Sequence, residues 1–319
     1  MIPITVCIIR GRKETDMKYI GVDIGGTNIK LGLVDLEGED PVIMARSAFL
    51  FDHKTCSELC GAIKYHTEIM AADAGIGTDD ILGIGLSVPG SIDREGESIL
   101  HSYNMGYHNV PIKAELQKLF PGKKISMAND ANAAAFAELH AGSLKGCLNA
   151  LLLTIGTGLG SGLILDGKVF NGGQGRGCEL GHMTFKVGGI PCNCGQSGCM
   201  DVYLSATRIA REGRELLGEE YADAKAVLDL SKKGDPTAKK IMDSYLDDLS
   251  TAIAALCATF DPERIALGGG FSAAGDALYV PLNKLVAQKN FHRIPYEIVP
   301  ARFLNDAGVL GAAYHVHLT

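Results

Sequence analysis

The chain has 319 residues and a net charge of −7, with 46% hydrophobic and 21% charged residues. Two domains are expected at this length, and the acidic balance excludes a basic nucleic-acid surface while suiting a protein that handles small molecules. No apolar run nears the ~18 residues of a membrane span, so no membrane partner is expected. The opening Met-Ile-Pro-Ile-Thr-Val-Cys-Ile-Ile-Arg lacks a basic leader and a small-residue cleavage site. Nine cysteines, most of them scattered, indicate a reducing cytoplasm.

Residues 1–16 precede the first strong strand and read as an extension. Residues 18–24 predict a buried strand, Gly25-Gly26-Thr27-Asn28 a turn, and residues 29–35 a second strand. A third strand is predicted over 42–49. Two adjacent glycines let backbone amides approach phosphate oxygens. Asp23 could hold Mg²⁺ through water, and Thr27 could bond a phosphate. A glycine pair in a hairpin is also an ordinary turn. Apolar spacing predicts a helix over 55–72. Residues 81–88 read as a buried strand ending at Pro89-Gly90, followed by a helix over 111–120 and a strand over 124–128. At Asn129-Asp130 an alanine-rich helix begins. Either residue would serve as a cap. Together they place an amide and a carboxylate at the carboxyl end of a strand, where α/β sheets bind ligands.

Residues 149–155 predict a strand running into Gly156-Thr157-Gly158-Leu159-Gly160-Ser161-Gly162 and a further strand over 163–166. Two glycine hairpins opening two halves of one chain form a structural repeat that would clamp one nucleotide. Next comes the most specific stretch, with His182, Cys192, Cys194 and Cys199 spaced His-x9-Cys-x-Cys-x4-Cys. Three thiols and an imidazole are the ligand set of a closed tetrahedral zinc site, structural because no coordination position stays open. Gly195 and Gly198 permit the bends between thiols. Asp235-Pro236 opens a long core helix to about 260. A strand over 264–267 enters Gly268-Gly269-Gly270, where bare backbone could take an adenine ring or simply turn. Helix 275–289, strand 296–299 and helix 306–316 complete the chain.

The motifs Asp23-Ile-Gly-Gly-Thr27, Gly83-Ile-Gly-Leu-Ser-Val-Pro-Gly90, Asn129-Asp-Ala-Asn132, Thr154-Ile-Gly-Thr-Gly158, Glu179-Leu-Gly-His182, the Cys192–Cys199 cluster and Gly268-Gly-Gly270 occur in this order. The chain thereby resembles the ROK family of bacterial sugar kinases and sugar-responsive repressors over residues 18–316, with the glucokinases nearest. The resemblance implies an actin-like (ribonuclease H-like) α/β fold of two domains with the active site in the cleft. A small domain would cover 17–128 plus the terminal helix 304–319. A large one would cover 129–303, with its zinc loop at 182–199.

The resemblance further implies ATP-dependent phosphorylation of a hexose, usually at the 6-hydroxyl. Asp130 would be the catalytic base. Gly90, Asn104, Asn129, Asp130, Glu179, His182 and Asp201 would meet the sugar. Asn104 lies in Ile99-Leu-His-Ser-Tyr-Asn-Met-Gly106, which is similar to the sugar-facing loop of N-acetylmannosamine kinases. Asp23, Gly25, Gly26, Thr27, Lys30, Thr157 and Gly158 would serve ATP and Mg²⁺, and Gly269 and Gly270 the adenosine. His182 would use one ring nitrogen for zinc and the other for sugar.

Asp201 stands where family kinases usually carry Glu. It reaches one methylene less far, so N-acetylmannosamine, N-acetylglucosamine, allose and fructose stay open beside glucose. Only 17 residues precede the first strand, too few for the DNA-binding helices of a family regulator. A homodimer is the assembly the resemblance implies.

Overall fold

The computed structural model describes residues 18–25, 28–50, 52, 55–102, 105–175 and 177–319. Gly26, Thr27 and Asn104 of the expected site, and the extension 1–16, lie outside the described residues. The chain divides into two compact units. The first runs to Lys145 and includes Asn171–Gly177 and Asp306–Thr319. The second comprises Gly146–Phe170 and Cys178–Asn305.

The first unit opens with an antiparallel meander, β1 (Lys18–Ile24), β2 (Asn28–Asp35) and β3 (Val42–Leu50). Helix α1 (Cys56–Asp73) follows. It starts where a capping box places it: Thr55 Oγ1 accepts the Glu58 N–H and the Glu58 carboxylate accepts the Thr55 N–H. Leu59, Ile63, Met70 and Ala71 make its buried face. Strand β4 (Ile81–Val88) then pairs parallel to β1. A small sheet follows, formed by β5 (Ser91–Ile92), β6 (Ile99–Ser102) and β7 (Tyr107–Val110). Helix α2 (Ile112–Leu119) leads to β8 (Lys124–Asn129), parallel to β4, and α3 (Asp130–Ala141) starts directly at its end.

The second unit repeats this plan. Strands β9 (Ala150–Ile155), β10 (Leu159–Leu165) and β11 (Lys168–Val169) form the meander. Helices α4 (Met200–Leu204), α5 (Ala206–Leu217), α6 (Ala224–Lys232) and α7 (Pro236–Phe260) follow. Strand β12 (Arg264–Gly268), helix α8 (Asp276–Lys289) and strand β13 (Glu297–Pro300) complete it. The sheet orders, β3-β2-β1-β4-β8 and β11-β10-β9-β12-β13, are the same order used twice, so the repeat read from the two glycine hairpins is a repeat of topology. Strand β10 begins four residues earlier than the sequence predicts. Gly160 and Gly162 lie in the ladder opposite Thr154 and Leu152, and the buried Leu159 and Ser161 between them anchor it. At α7, Asp235 Oδ1 accepts the N–H groups of Thr237 and Ala238 and Pro236 takes the first turn, as expected.

The chain returns to the first unit with α9 (Ala307–Leu318). It lies against bare backbone: a Cβ on Gly21 or Gly85 would fall 1.9 or 1.8 Å from the Val309 or Ala312 carbonyl oxygen. The side-chain-free contact brings the start of α9 to the carboxyl end of β1. Near the other end of α9, His315 Nδ1 lies 2.9 Å from Ser126 Oγ and its ring 4.9 Å from Phe136. Burial, reinforced by Lys124, lowers the His315 pKa to about 4. The unfolded chain takes up this proton near 6.5 and the folded chain does not. Stability contributed by neutral His315 is therefore full above pH 6.5 and falls as the pH drops toward 4. The loss expected from this group reaches about 3 kcal/mol. Urea titrations at pH 7, 5.5 and 4 will show it, and His315→Gln will flatten the dependence.

Lys18 is 1% exposed and donates to Asp35 Oδ2 at 2.7 Å. Removing one partner of such a pair leaves a buried charge. Asp35→Asn is expected to cost about 2–4 kcal/mol in urea unfolding, and a loss below about 0.5 kcal/mol would show that the ammonium reaches water.

Candidate active site

The carboxyl ends of the parallel strands in the first unit carry the candidate residues in register. Asp23 lies opposite Ser87, and Val88 opposite Asn129. Ser87 Oγ donates to Asp23 Oδ1 at 3.0 Å, and Lys30 Nζ lies 3.9 Å from Oδ2. Gly308, in the first turn of α9, approaches so closely that a Cβ would meet Oδ1 at 2.4 Å. Burial raises the Asp23 pKa, against the opposing pull of Ser87 and Lys30. A partly desolvated carboxylate beside one lysine is a fit ligand for a hard divalent cation. The Gly25 N–H closes the hairpin on the Asn28 carbonyl at 3.0 Å.

Asn129 is the cap of α3. Its Oδ1 accepts from Ala131 and Asn132 N–H at 3.0 and 3.3 Å, while Nδ2 donates to the Gly90 carbonyl at 3.2 Å. Gly90 has φ +120°, and a Cβ there would strike the His101 carbonyl at 2.2 Å, so glycine is required at this bend. Asp130, the first residue of α3, is exposed, with Oδ1 accepting the Ala131 N–H at 2.9 Å. A cavity of about 380 Å³ opens beside Gly90 and Asn129 and follows β8 to Ser126, Lys124 and Thr319. Asn132, 4% exposed, lines it; its Nδ2 donates to Asn171 Oδ1, and its own Oδ1 has no hydrogen-bond partner among the described residues.

In the second unit, the Glu179–His182 turn lies flat on β10. Ser161 Oγ donates to the Cys178 carbonyl and accepts the Leu180 N–H. Gly181 is needed because a Cβ would meet the Leu159 carbonyl at 2.2 Å. Leu180 goes into the core, leaving Glu179 and His182 exposed. Desolvation of its carboxyl raises the Glu179 pKa, with His182 pulling the other way.

The ligand atoms of His182, Cys192, Cys194 and Cys199 all lie within 4.8 Å of one another. The Cys194 and Cys199 sulfurs are 3.6 Å apart, and Cys192 Sγ lies 3.8 Å from His182 Nδ1. A tetrahedron with Zn–S of about 2.3 Å needs sulfurs about 3.8 Å apart, so the four residues fit the ion. Nδ1 is the nitrogen inside the cluster. Gly195 and Gly198 take φ of +90° and +83°, as the bends require.

The second glycine hairpin is closed by Gly156 N–H to the Gly158 carbonyl at 3.0 Å. Gly268 pairs with Thr154 at the same sheet end. Gly269, at φ +80°, lies where a Cβ would meet the Ile155 carbonyl at 2.3 Å. Asp201 Oδ1 accepts the Leu159 N–H at 2.6 Å. Sequence reasoning missed Ser87, Ser161 and Thr207. Ser87 and Ser161 lay inside stretches already singled out for their glycines; Thr207 carried no local signal.

One sheet topology used twice, each copy entered through a glycine hairpin, is the actin-like two-domain sugar kinase fold. The chain belongs to the ROK family, whose model matches residues 19–318. It is 37% identical over 314 residues to a glucokinase of Thermotoga maritima, covering 93% of this chain and 96% of that one. It is 30% identical to an N-acetyl-D-glucosamine kinase of Vibrio cholerae, covering 93% and 98%. A solved ROK family glucokinase from Streptomyces griseus, in complex with glucose and AMPPNP, superposes with a TM-score of 0.78 at 26% identity, covering 95% and 100%.

Proposed function

We propose that the chain is an ATP-dependent hexose kinase that transfers the γ-phosphate to the 6-hydroxyl of a hexose, with glucose as the leading substrate. The observation that carries the reading is the end of β8, where Asn129 is locked as a cap and Asp130 stands exposed beside it. Phosphoryl transfer passes through a loose transition state, so the protein's task is positioning and charge neutralisation. Asp130 accepts the hydroxyl proton late and chiefly orients the nucleophile. Asn129 and Gly90 hold the sugar from the same strand end, and Glu179 and the Nε2 side of His182 take further hydroxyls. The amides around Gly25 and Gly158 receive phosphate oxygens. Asp23 would hold Mg²⁺, which when bound neutralises phosphate charge. His182, Cys192, Cys194 and Cys199 would hold a structural zinc.

An N-acetylhexosamine is the second reading, favoured by the Vibrio cholerae relative and by the shorter Asp201. The cytoplasm suits the eight described cysteines, all unpaired as disulfides. No helix among the described residues is long and apolar enough to cross a membrane. A homodimer is proposed, with sedimentation as its check. An ADP-release assay with ATP, Mg²⁺ and a panel of hexoses and N-acetylhexosamines tests the reading. Dominant glucose turnover supports it, an amino sugar moves the assignment to the second reading, and no turnover with any sugar overturns both.

A further inference from the structure

The short segment leaving the metal loop is fastened to the second glycine hairpin at three points. Asp201, two residues after Cys199, accepts the Leu159 N–H on Oδ1 at 2.6 Å. That oxygen lies so close to Gly158 that a Cβ there would meet it at 2.7 Å. The Ala206 N–H donates to the Gly156 carbonyl at 2.9 Å, and Thr207 Oγ1 donates to the Thr157 carbonyl at 2.7 Å. Every residue from Gly156 to Leu159 is thus bonded by, or packed on, the stretch 201–207. Thr157 is itself exposed, so packing of its side chain cannot fix the hairpin.

We infer that Asp201 and Thr207 are positioning residues for nucleotide phosphate, acting through the hairpin Gly156–Leu159. The inference rests on the proposed kinase reading, in which this hairpin receives phosphate. Asp201 would then act on the nucleotide whether or not its second oxygen also meets sugar. Backbone amides recognise phosphate only when held in a converging geometry, and a two-glycine turn left to itself samples many others. The clamp removes that freedom before nucleotide arrives.

The variants Asp201→Ala, Asp201→Asn and Thr207→Val separate this role from sugar binding. Affinity for AMPPNP with Mg²⁺ is measured by calorimetry without sugar, KM is measured for ATP and for the best sugar of the panel, and amide exchange is followed across 156–160. Loss of one such hydrogen bond is expected to weaken AMPPNP binding about 5–10-fold in Asp201→Ala and Thr207→Val, and to speed exchange in the hairpin. Thr207→Val should leave the sugar KM unchanged. Asp201→Asn retains an oxygen acceptor for the Leu159 N–H, so its nucleotide affinity should stay within about twofold of the original. Unaltered AMPPNP affinity and exchange in Thr207→Val and Asp201→Ala overturn the inference, as does a loss confined to sugar KM. The exchange measurement needs no turnover. Failure of the kinase reading would appear separately, as absent ADP release from the unmodified protein.

Discussion

Asp130→Asn is expected to lower kcat by about three orders of magnitude while the fold and hexose binding persist, the scale of removing a positioned general base. The substitution is nearly isosteric. The new amide oxygen can still accept the Ala131 N–H that Asp130 Oδ1 accepts at 2.9 Å. Helix α3 does not depend on residue 130 for its cap, because Asn129 supplies that. The melting temperature should therefore shift little. An amide cannot take a hydroxyl proton, however, and its donor end would repel the hydroxyl hydrogen that the carboxylate orients. A carboxylate suffices as a base because the proton leaves late in a loose transition state. Three measurements check the claim: kcat by ADP release, hexose affinity by calorimetry, and thermal melting. A variant retaining a tenth or more of the original turnover would remove Asp130 from the catalytic role. A variant that loses hexose affinity in parallel would make it a sugar ligand instead.

What the sequence disclosed and what it withheld divide along a physical line. Period and punctuation are local, and they placed β1, β2, β4, α1, α7 and α9 within a residue or two of their ends. The capping Asp235 and the turn glycines Gly195 and Gly198 were legible for the same reason, since each acts on its own neighbours. Asn129 was legible as a cap candidate, though not the second bond its amide makes to the Gly90 carbonyl. Contacts between distant segments leave no such mark. Ser161 and Thr207 bond backbone atoms 17 and 50 positions away, and nothing around them reports it. Arg208 in α5 is a further case. It is 6% exposed and reaches Asp248 at 2.7 Å, Ser244 at 2.9 Å and the Tyr203 carbonyl at 3.1 Å. The small sheet β5–β7 has strands of two to four residues, too short for an alternating pattern to register.

Removing the metal ligands is expected to release the loop 183–199 and to weaken hexose affinity by two orders of magnitude or more, while the core of the second unit stays folded. The loop has little else to hold it. Apart from Phe185, which is half-buried against the core with its ring 5.7 Å from that of Tyr203, its large apolar side chains face outward: Val187 is 97% exposed, Met183 42% and Ile190 37%. Hydrophobic burial therefore contributes little there. Its other anchors are polar: the Ile190 N–H donates to Tyr203 Oη at 2.8 Å, Lys186 Nζ lies 4.5 Å over the Tyr203 ring and 3.2 Å from Asp248 Oδ1, and the Phe185 and Met200 N–H groups donate to the Gly198 and Met183 carbonyls at 2.7 and 2.9 Å. Against these, structural zinc supplies about 10–16 kcal/mol of folding energy in small peptides. The core of α5–α8 is built from Ile209, Val227, Leu249, Leu256 and Leu282, each essentially inaccessible to solvent and none in the loop. Its unfolding transition should survive. In the proposed reading, His182 is where the loss reaches function. With Nδ1 turned into the cluster, the ion would fix both the ring plane and the tautomer offered to a sugar, and its removal frees both. Chelator-treated protein and Cys199→Ser are to be compared by metal content, amide exchange over 183–199 and hexose affinity. Rapid exchange confined to the loop, with weakened hexose binding that zinc restores in the chelated protein but not in Cys199→Ser, is the expected result. Unchanged hexose affinity in metal-free protein would leave the four residues a structural clasp with no hold on the sugar.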